Sequence, residues 1–525
     1  MAEVTAHGSG EMKRSLTLTG VTVNAMALIA PGAFLWTTFQ EQAALNRGTT
    51  STAPEMWTGL FFCLILALLT AYSYAELARI YPDAGTGSTY YFAEAAFLDK
   101  EKPEHQRYAR TAKLSIGWIS HLYYWIYPGI MIAFIASLFD YIYRAIFHHA
   151  LTGIPTAAIG VVFALLVGYI SYRGIHGSTL VAIAINVIQI VTLVAMSIYM
   201  IFYRLGHAHG GYALANAGRV VIPHNYVSLL YQSTIAVLLL VGFESITALG
   251  AEAIDPEKDI KRGVLLSLLI QGGVMYLFEY FAANFSIGAK TIQFAVTSGG
   301  AKTIETGYTA AADSSQTVAP IGNMLNNMTG HLTVPVIVAV TVLMALIGTT
   351  LACLNTGVRV TYTMAKDKEM PGLLGFLHGE YATPHAAVWI LTALSAAIGA
   401  FASVPWQSHN LTQVTVASNT GTFLVYGSTC FVALIAFASR HDKHIVKHIV
   451  IPLIGGLMNL AEFAGVLYIG FSAGGLTGQD YAKALYVVGA WIVIGLIWAI
   501  ANPSKGHAKG VVEERKAGEK VVVTP

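Results

Sequence analysis

Charge is what this 525-residue chain has least of: 11% of its residues are Asp, Glu, Lys or Arg, against 55% hydrophobic ones. With a mean hydropathy of +0.59, that scarcity excludes a soluble globular domain, in which about 25% of residues are charged. The chain reads as an all-α integral membrane protein. Cysteine is scarce too. Cys63, Cys353 and Cys430 lie in apolar segments without metal-like spacing, so they read as packing residues rather than disulfide partners or metal ligands. The formal net charge is +2 and no large basic patch stands apart from the loops, so nothing points to a nucleic-acid partner. No Ser-His-Asp set, phosphate loop or metal-hydrolase pattern occurs; neither an enzyme nor a cofactor is expected. No cleavable signal is expected either, because polar residues run to Arg14 and the apolar stretch that follows is too long.

Apolar length is what the chain has. Spanning a bilayer takes about 20 apolar residues, and the candidate spans are 16–40, 57–80, 116–147, 154–172, 179–203, 227–254, 264–288, 332–365, 385–404, 411–438, 449–471 and 481–501. Twelve transmembrane helices are therefore expected over 16–501, between a tail at 1–15 and a tail at 502–525 expected to be disordered. No loop is long enough for a soluble domain; the longest, 289–331, reads as a mobile external cap. With the N-terminus inside, only Arg47, Arg144, Arg204, Arg219, Lys290, Lys302 and Lys483 of the 30 basic residues fall on the outer side. That bias obeys the positive-inside rule. It predicts a multi-pass cell-membrane protein with both termini cytoplasmic.

Within the first span, "NAMALIAPGAFLW" places Pro31-Gly32 in mid-membrane. A proline there has no N–H to donate and clashes with the carbonyl of Ala27. Freed backbone groups at membrane depth survive only beside protein, water or a ligand. The sixth span is interrupted at the corresponding place: "LLLVGFESITAL" holds Gly242 and Glu244. Paired interruptions in two halves of a chain point to a midplane substrate site. The amides of Gly32, Ala33 and Phe34 would face the break at a positive helix end, suited to a carboxylate. The unpaired carbonyls near Ala27 to Ile29, and near Val241, would accept from an ammonium group. Together they fit a zwitterion, the simplest being an α-amino acid backbone.

Three stretches carry a resemblance to a known family. "GFESITALGAEAIDPEKDIKRGV", "YPDAGTGSTYYFAEAAF" and "LNTGVRVTYTMAKDKEMPGLL" with "TPHAAV" downstream occur in order. They resemble the helix-6 segment, the stretch after helix 2 and the helix 8–9 loop of the amino acid–polyamine–organocation (APC) superfamily of permeases. The resemblance covers the whole chain. It implies five-plus-five inverted repeats with helices 1 and 6 discontinuous, two extra C-terminal helices, and alternating access. It also places the substrate at the two breaks, with Phe243 matching the bulky residue that closes over it. Two departures stand out: Ala30-Pro31-Gly32 replaces the family's frequent Gly-x-Gly, at the cost of one amide donor. In helix 5, Leu193 falls near a lysine that some proton-coupled members carry.

The expected substrate-binding set is Ile29, Ala30, Pro31, Gly32, Ala33, Val241, Gly242, Phe243, Glu244, Ser245, Tyr124 and Asn355. Glu244, a carboxylate in mid-span, is also the proton-sensing candidate; its alternative is to brace the half-helices. Glu279 and Glu462 read as interhelical hydrogen-bond partners. His148, His149, His207 and His209 read as loop residues, not a metal site. The expected function is secondary active transport of an amino acid across the cell membrane, with the lipid bilayer and a small-molecule substrate as partners. A polyamine or other organic amine permease is the alternative, and a nutrient-sensing transceptor or a channel the rivals of another class.

Overall fold

The structure, a computed structural model, describes residues 16–30, 32–81, 88–98, 105–151, 153–174, 179–207, 214–249, 253–298, 301–312, 320–379, 381, 383–403, 408–438 and 440–502. Pro31, His209, the 1–15 tail and the C-terminal tail beyond 502 lie outside these residues, as do parts of two of the quoted stretches, 82–87 and 250–252.

The helices in chain order are α1 (Leu18–Ile29), α2 (Leu35–Ala43), α3 (Met56–Ile80), α4 (Thr89–Leu98), α5 (His105–Tyr124), α6 (Tyr127–Phe147) and α7 (Ile154–Tyr172). Next come α8 (Thr179–Gly206), α9 (Leu214–Val221), α10 (Tyr226–Ala236), α11 (Pro256–Leu268), α12 (Leu277–Ser286) and α13 (Gly307–Ala312). The remainder are α14 (Pro320–Thr329), α15 (Thr333–Lys366), α16 (His385–Ser403), α17 (Ser408–Phe437), α18 (Ile451–Ser472) and α19 (Gly475–Ala501). Long apolar runs adopt this form because a helix satisfies every backbone group within the segment, where lipid offers no partners.

Among the described residues, 11 helices are long and apolar enough to cross a bilayer. The expected first span is not one of them. It is divided into α1, of 12 residues, and α2, of 9, each too short alone. The third span is a rod over Tyr108–Phe147, jointed where α5 gives way to α6. Pro128 sits there in the first turn of α6, where its missing N–H costs nothing. The 289–331 loop was expected to be a mobile cap. Its described residues form an antiparallel hairpin, Phe294–Ser298 with Ala301–Glu305, and the helices α13 and α14. α14 packs on α2 and α15.

Aromatic side chains fill the interior: Trp36, Tyr74, Tyr127, Tyr276, Tyr280 and Tyr426 are among the largest fully buried ones. The last helix, α19, turns Ile494, Leu496, Ile497 and Ile500 outward, as a lipid-facing surface requires. α1 lies centrally, against α8, α11, α15 and the turns at Phe243–Leu249. One cluster of charges joins α4, α5 and the end of α15. Lys113 bonds Glu94 at 3.0 Å and Asp367 at 2.6 Å, and the Arg110 guanidinium grips both oxygens of Glu369 at 2.8 and 3.1 Å. Lys113 and Glu94 are nearly fully enclosed. Removing one partner of such a pair costs about 3 kcal/mol, because the other is left buried and uncompensated. Lys113→Met should therefore lower the melting temperature of the detergent-purified protein, and adding Glu94→Gln should restore part of it.

Candidate substrate site

α1 starts at Thr17, whose hydroxyl accepts from the Gly20 N–H. It ends at Ala30, which takes φ 48° and ψ 92°, and Gly32 follows at φ 75°. A positive φ at a residue with a Cβ costs about 1–3 kcal/mol and persists where the surroundings enforce it. Here they do. Gln271 Nε2 donates to the Met26 carbonyl at 2.6 Å, and Thr349 Oγ1 to that of Ala27 at 2.8 Å. The Tyr276 hydroxyl lies 3.0 Å from the Ile29 oxygen and 2.6 Å from the Ala30 oxygen. The Ala27 carbonyl is the one that a proline four residues on leaves without its amide, and Thr349 supplies the replacement.

Of the carbonyls expected to await a substrate ammonium, those of Ala27 and Ile29 thus already take a donor from the protein's own side chains. The amides are also less available than expected, since Ala33 N–H donates to the Ala30 carbonyl at 3.2 Å. Thr349→Val would leave the Ala27 oxygen with no donor, and a buried acceptor so orphaned costs about 1–3 kcal/mol. Its expected signature is a lower melting temperature with substrate affinity nearly unchanged.

The second break starts earlier than expected. α10 ends at Ala236 rather than near Val241, and tight 3-10 turns follow at Val237–Leu239 and Phe243–Leu249. Gly242 has φ 122°, and a Cβ added to it would lie 2.5 Å from Leu28 Cδ2. Glycine is required here by both the backbone angle and the close crossing of α1. The two interruptions are in contact.

Glu244 is fully engaged. Tyr123 donates to Oε1 at 2.9 Å, Tyr426 to Oε2 at 2.7 Å, and the Gly242 N–H to Oε2 at 3.0 Å. It thus ties the helix-6 turn to α5 and α17, the bracing alternative named from the sequence. Ser245 Oγ donates to the Gly242 carbonyl at 2.6 Å. Phe243 meets Tyr74 edge-on at 5.9 Å and Tyr426 at 5.2 Å, while Tyr124 lies against Tyr123 at 4.5 Å. Ile29, Ala30, Ala33, Val241, Gly242, Phe243, Glu244 and Tyr124 are all buried. Asn355 is not brought to this cluster: its side-chain oxygen accepts from Ser171 on α7 at 2.6 Å. Six residues separate it from Thr349, which is about 9 Å along a helix and a turn to a different face.

Two of the remaining carboxylates behave differently from each other. Glu462 accepts from Ser233 at 2.7 Å, an interhelical bond as expected. Glu279 has no such partner. It is 0% exposed, and neither oxygen has a hydrogen bond among the described residues. A Cβ built on Gly32 would sit 2.1 and 2.3 Å from its two oxygens. Its carboxylate therefore lies directly against the helix-1 break. No group of His, Cys, Asp and Glu among the described residues could hold a metal ion.

A model of the family described as amino acid permease matches residues 15–499. The chain belongs to the amino acid permease family. This confirms the resemblance to the APC superfamily, and the 11 long apolar helices among the described residues fit a multi-pass membrane protein. One relative is the low-affinity putrescine importer PlaP of Escherichia coli K12, 27% identical over 52% of this chain and 54% of that one. The permease thus spans about half the length of that importer. The branched-chain amino acid permease BcaP of Bacillus subtilis is 22% identical over 75% of this chain and 76% of its own. A methylthioribose transporter of the same organism is 21% identical over 85% and 86%. A diamine, amino acids and a sugar thioether appear in those names, so family membership leaves the substrate open.

Proposed function

We propose that this permease is a secondary transporter that moves a small molecule bearing a primary ammonium group, an amino acid or an organic amine, by alternating access. The substrate site is the meeting of the two helix breaks. One observation carries this reading: two interrupted spans, far apart in sequence, touch at Gly242 and Leu28 deep inside the bundle. Broken helices at membrane depth are tolerated where they line a cavity, and paired ones mark the midplane site of transporters built from repeats. The aromatic wall of Tyr74, Tyr123, Phe243 and Tyr426 suits an alkyl chain or the face of a cation. Both termini lie in the cytoplasm on this reading.

The test is uptake of labelled leucine and of labelled putrescine into proteoliposomes holding the purified permease. Saturable uptake of either one, blocked by an excess of the unlabelled compound, supports a carrier. Flux that rises linearly with concentration contradicts it.

A further inference from the structure

Glu279 is the carboxyl group at the breaks that takes no partner among the described residues. Glu244 takes three donors and Glu462 one, whereas the two oxygens of Glu279 take none among the described residues. No lysine, arginine or histidine forms an ion pair with it among those residues. Yet it is fully buried on α12 and aimed at Gly32, in the helix-1 break. An ionised carboxylate enclosed without a partner costs several kcal/mol. A site built this way is completed by a cation that arrives from outside.

We propose that Glu279 is the counter-charge for the ammonium group of the substrate, and that it makes the site selective for organic cations without a carboxylate. The proposal rests on the reading that the two breaks form the substrate site. An ammonium group brings one positive charge and three donors, which matches a carboxylate with two empty oxygens. A substrate carboxylate seated on the Gly32 amide would instead lie in contact with Glu279, like charge against like. That reverses the preference for a zwitterion drawn from the sequence, where the amides were counted and the carboxylate facing them was not visible. Tyr276 and Tyr280, near Glu279 in sequence, are fully buried with it, and their hydroxyls are bonded to the Ile29 and Ala30 oxygens and to Gln42 Oε1.

The experiment is thermal stabilisation of the full-length permease in detergent by four probes: isopentylamine, putrescine, leucine, and 3-methylbutan-1-ol as the neutral counterpart of isopentylamine. A ligand that binds only the folded state raises its apparent stability. In the wild type an amine should stabilise at concentrations at least about tenfold below leucine, and the alcohol should do nothing. In Glu279→Gln the amine should weaken about a hundredfold, the loss expected for a charge-assisted partner. Without ligand, that variant should be about as stable as the wild type, because an amide of the same shape replaces a buried carboxyl that has no partner among the described residues.

Leucine binding as well as the amines overturns the proposal, and so does failure of both amines to bind. Amine affinity kept in Glu279→Gln overturns it too. If the alcohol stabilises the wild type as well as the amine does, charge plays no part in recognition and the ammonium contact is removed. The wild-type probe series reads selectivity even where the variant fails to fold. Gly242→Val distinguishes the site from the contact. Amine binding that survives it removes the site at the breaks, whereas binding lost there but kept in Glu279→Gln leaves the site standing and removes the ammonium contact.

Discussion

Gly32→Val should reduce uptake by about 10- to 100-fold while leaving a folded, membrane-inserted protein. Two separate penalties fall on this position. At φ 75° a β-branched side chain is strained, by about 1–3 kcal/mol. Its Cβ would also lie 2.1 Å from Glu279 Oε2, so the carboxylate must leave the break. Gly153 provides the control. It has nearly the same backbone angle, φ 72°, but nothing within 4 Å of an added Cβ. Gly153→Val therefore carries the backbone strain alone, outside the bundle. Uptake into proteoliposomes, normalised to inserted protein, should fall for Gly32→Val and stay near wild type for Gly153→Val. Equal activity of the two variants would show that the Gly32–Glu279 approach has no part in transport.

The second large effect is expected at Glu244, and it depends on shape and hydrogen bonding. Glu244→Leu would strand three donors at once: the hydroxyls of Tyr123 and Tyr426 and the Gly242 N–H. Each buried donor left unsatisfied costs about 1–3 kcal/mol, so the helix-6 turn should lose its anchorage and the protein much of its stability. Glu244→Gln should be far milder. Its carbonyl can still accept from Tyr426 and the Gly242 N–H, while its amide donates to Tyr123, whose hydroxyl can reverse its role. Melting temperature and uptake of the two variants, measured side by side, check this. A Gln variant as damaged as the Leu variant would mean that the charge of Glu244 is what matters, and would return it to the role of proton sensor.

How much of this was legible in the sequence follows from the range of each signal. The helix-1 break was legible because its cause is local: proline and glycine act on their own turn of backbone. The break in helix 6 was located through Gly242 and Glu244, but its start was misplaced by five residues, since nothing in "AVLLL" forbids an α-helix. Tertiary packing alone tightens that stretch into 3-10 turns. The side chains that quench the freed carbonyls, Gln271, Tyr276 and Thr349, were missed for the same reason. Each is an ordinary polar residue in a helix until the fold lays it beside α1. Asn355 shows the converse. As a polar residue in a span it reads as a site residue, and the structure shows its side-chain oxygen accepting from Ser171 on α7. Glu279 reads as such a contact from the sequence and has no hydrogen-bond partner among the described residues. Membrane depth can be read from hydropathy, but which of two carboxylates has its donors cannot.

The central claim, that substrate sits where the two breaks meet, is tested most directly by protection of a cysteine placed there. Ser245→Cys keeps the size of a half-buried side chain that bonds the Gly242 carbonyl. The three native cysteines are buried and free, and can be changed to alanine in the background protein. Labelling of the introduced thiol by a small reagent is then timed in proteoliposomes with and without isopentylamine, putrescine or leucine. The compound taken up should slow labelling, and should do so at the concentration that half-saturates uptake. Labelling at one unchanged rate, while the same compound is still transported saturably, would place the substrate elsewhere.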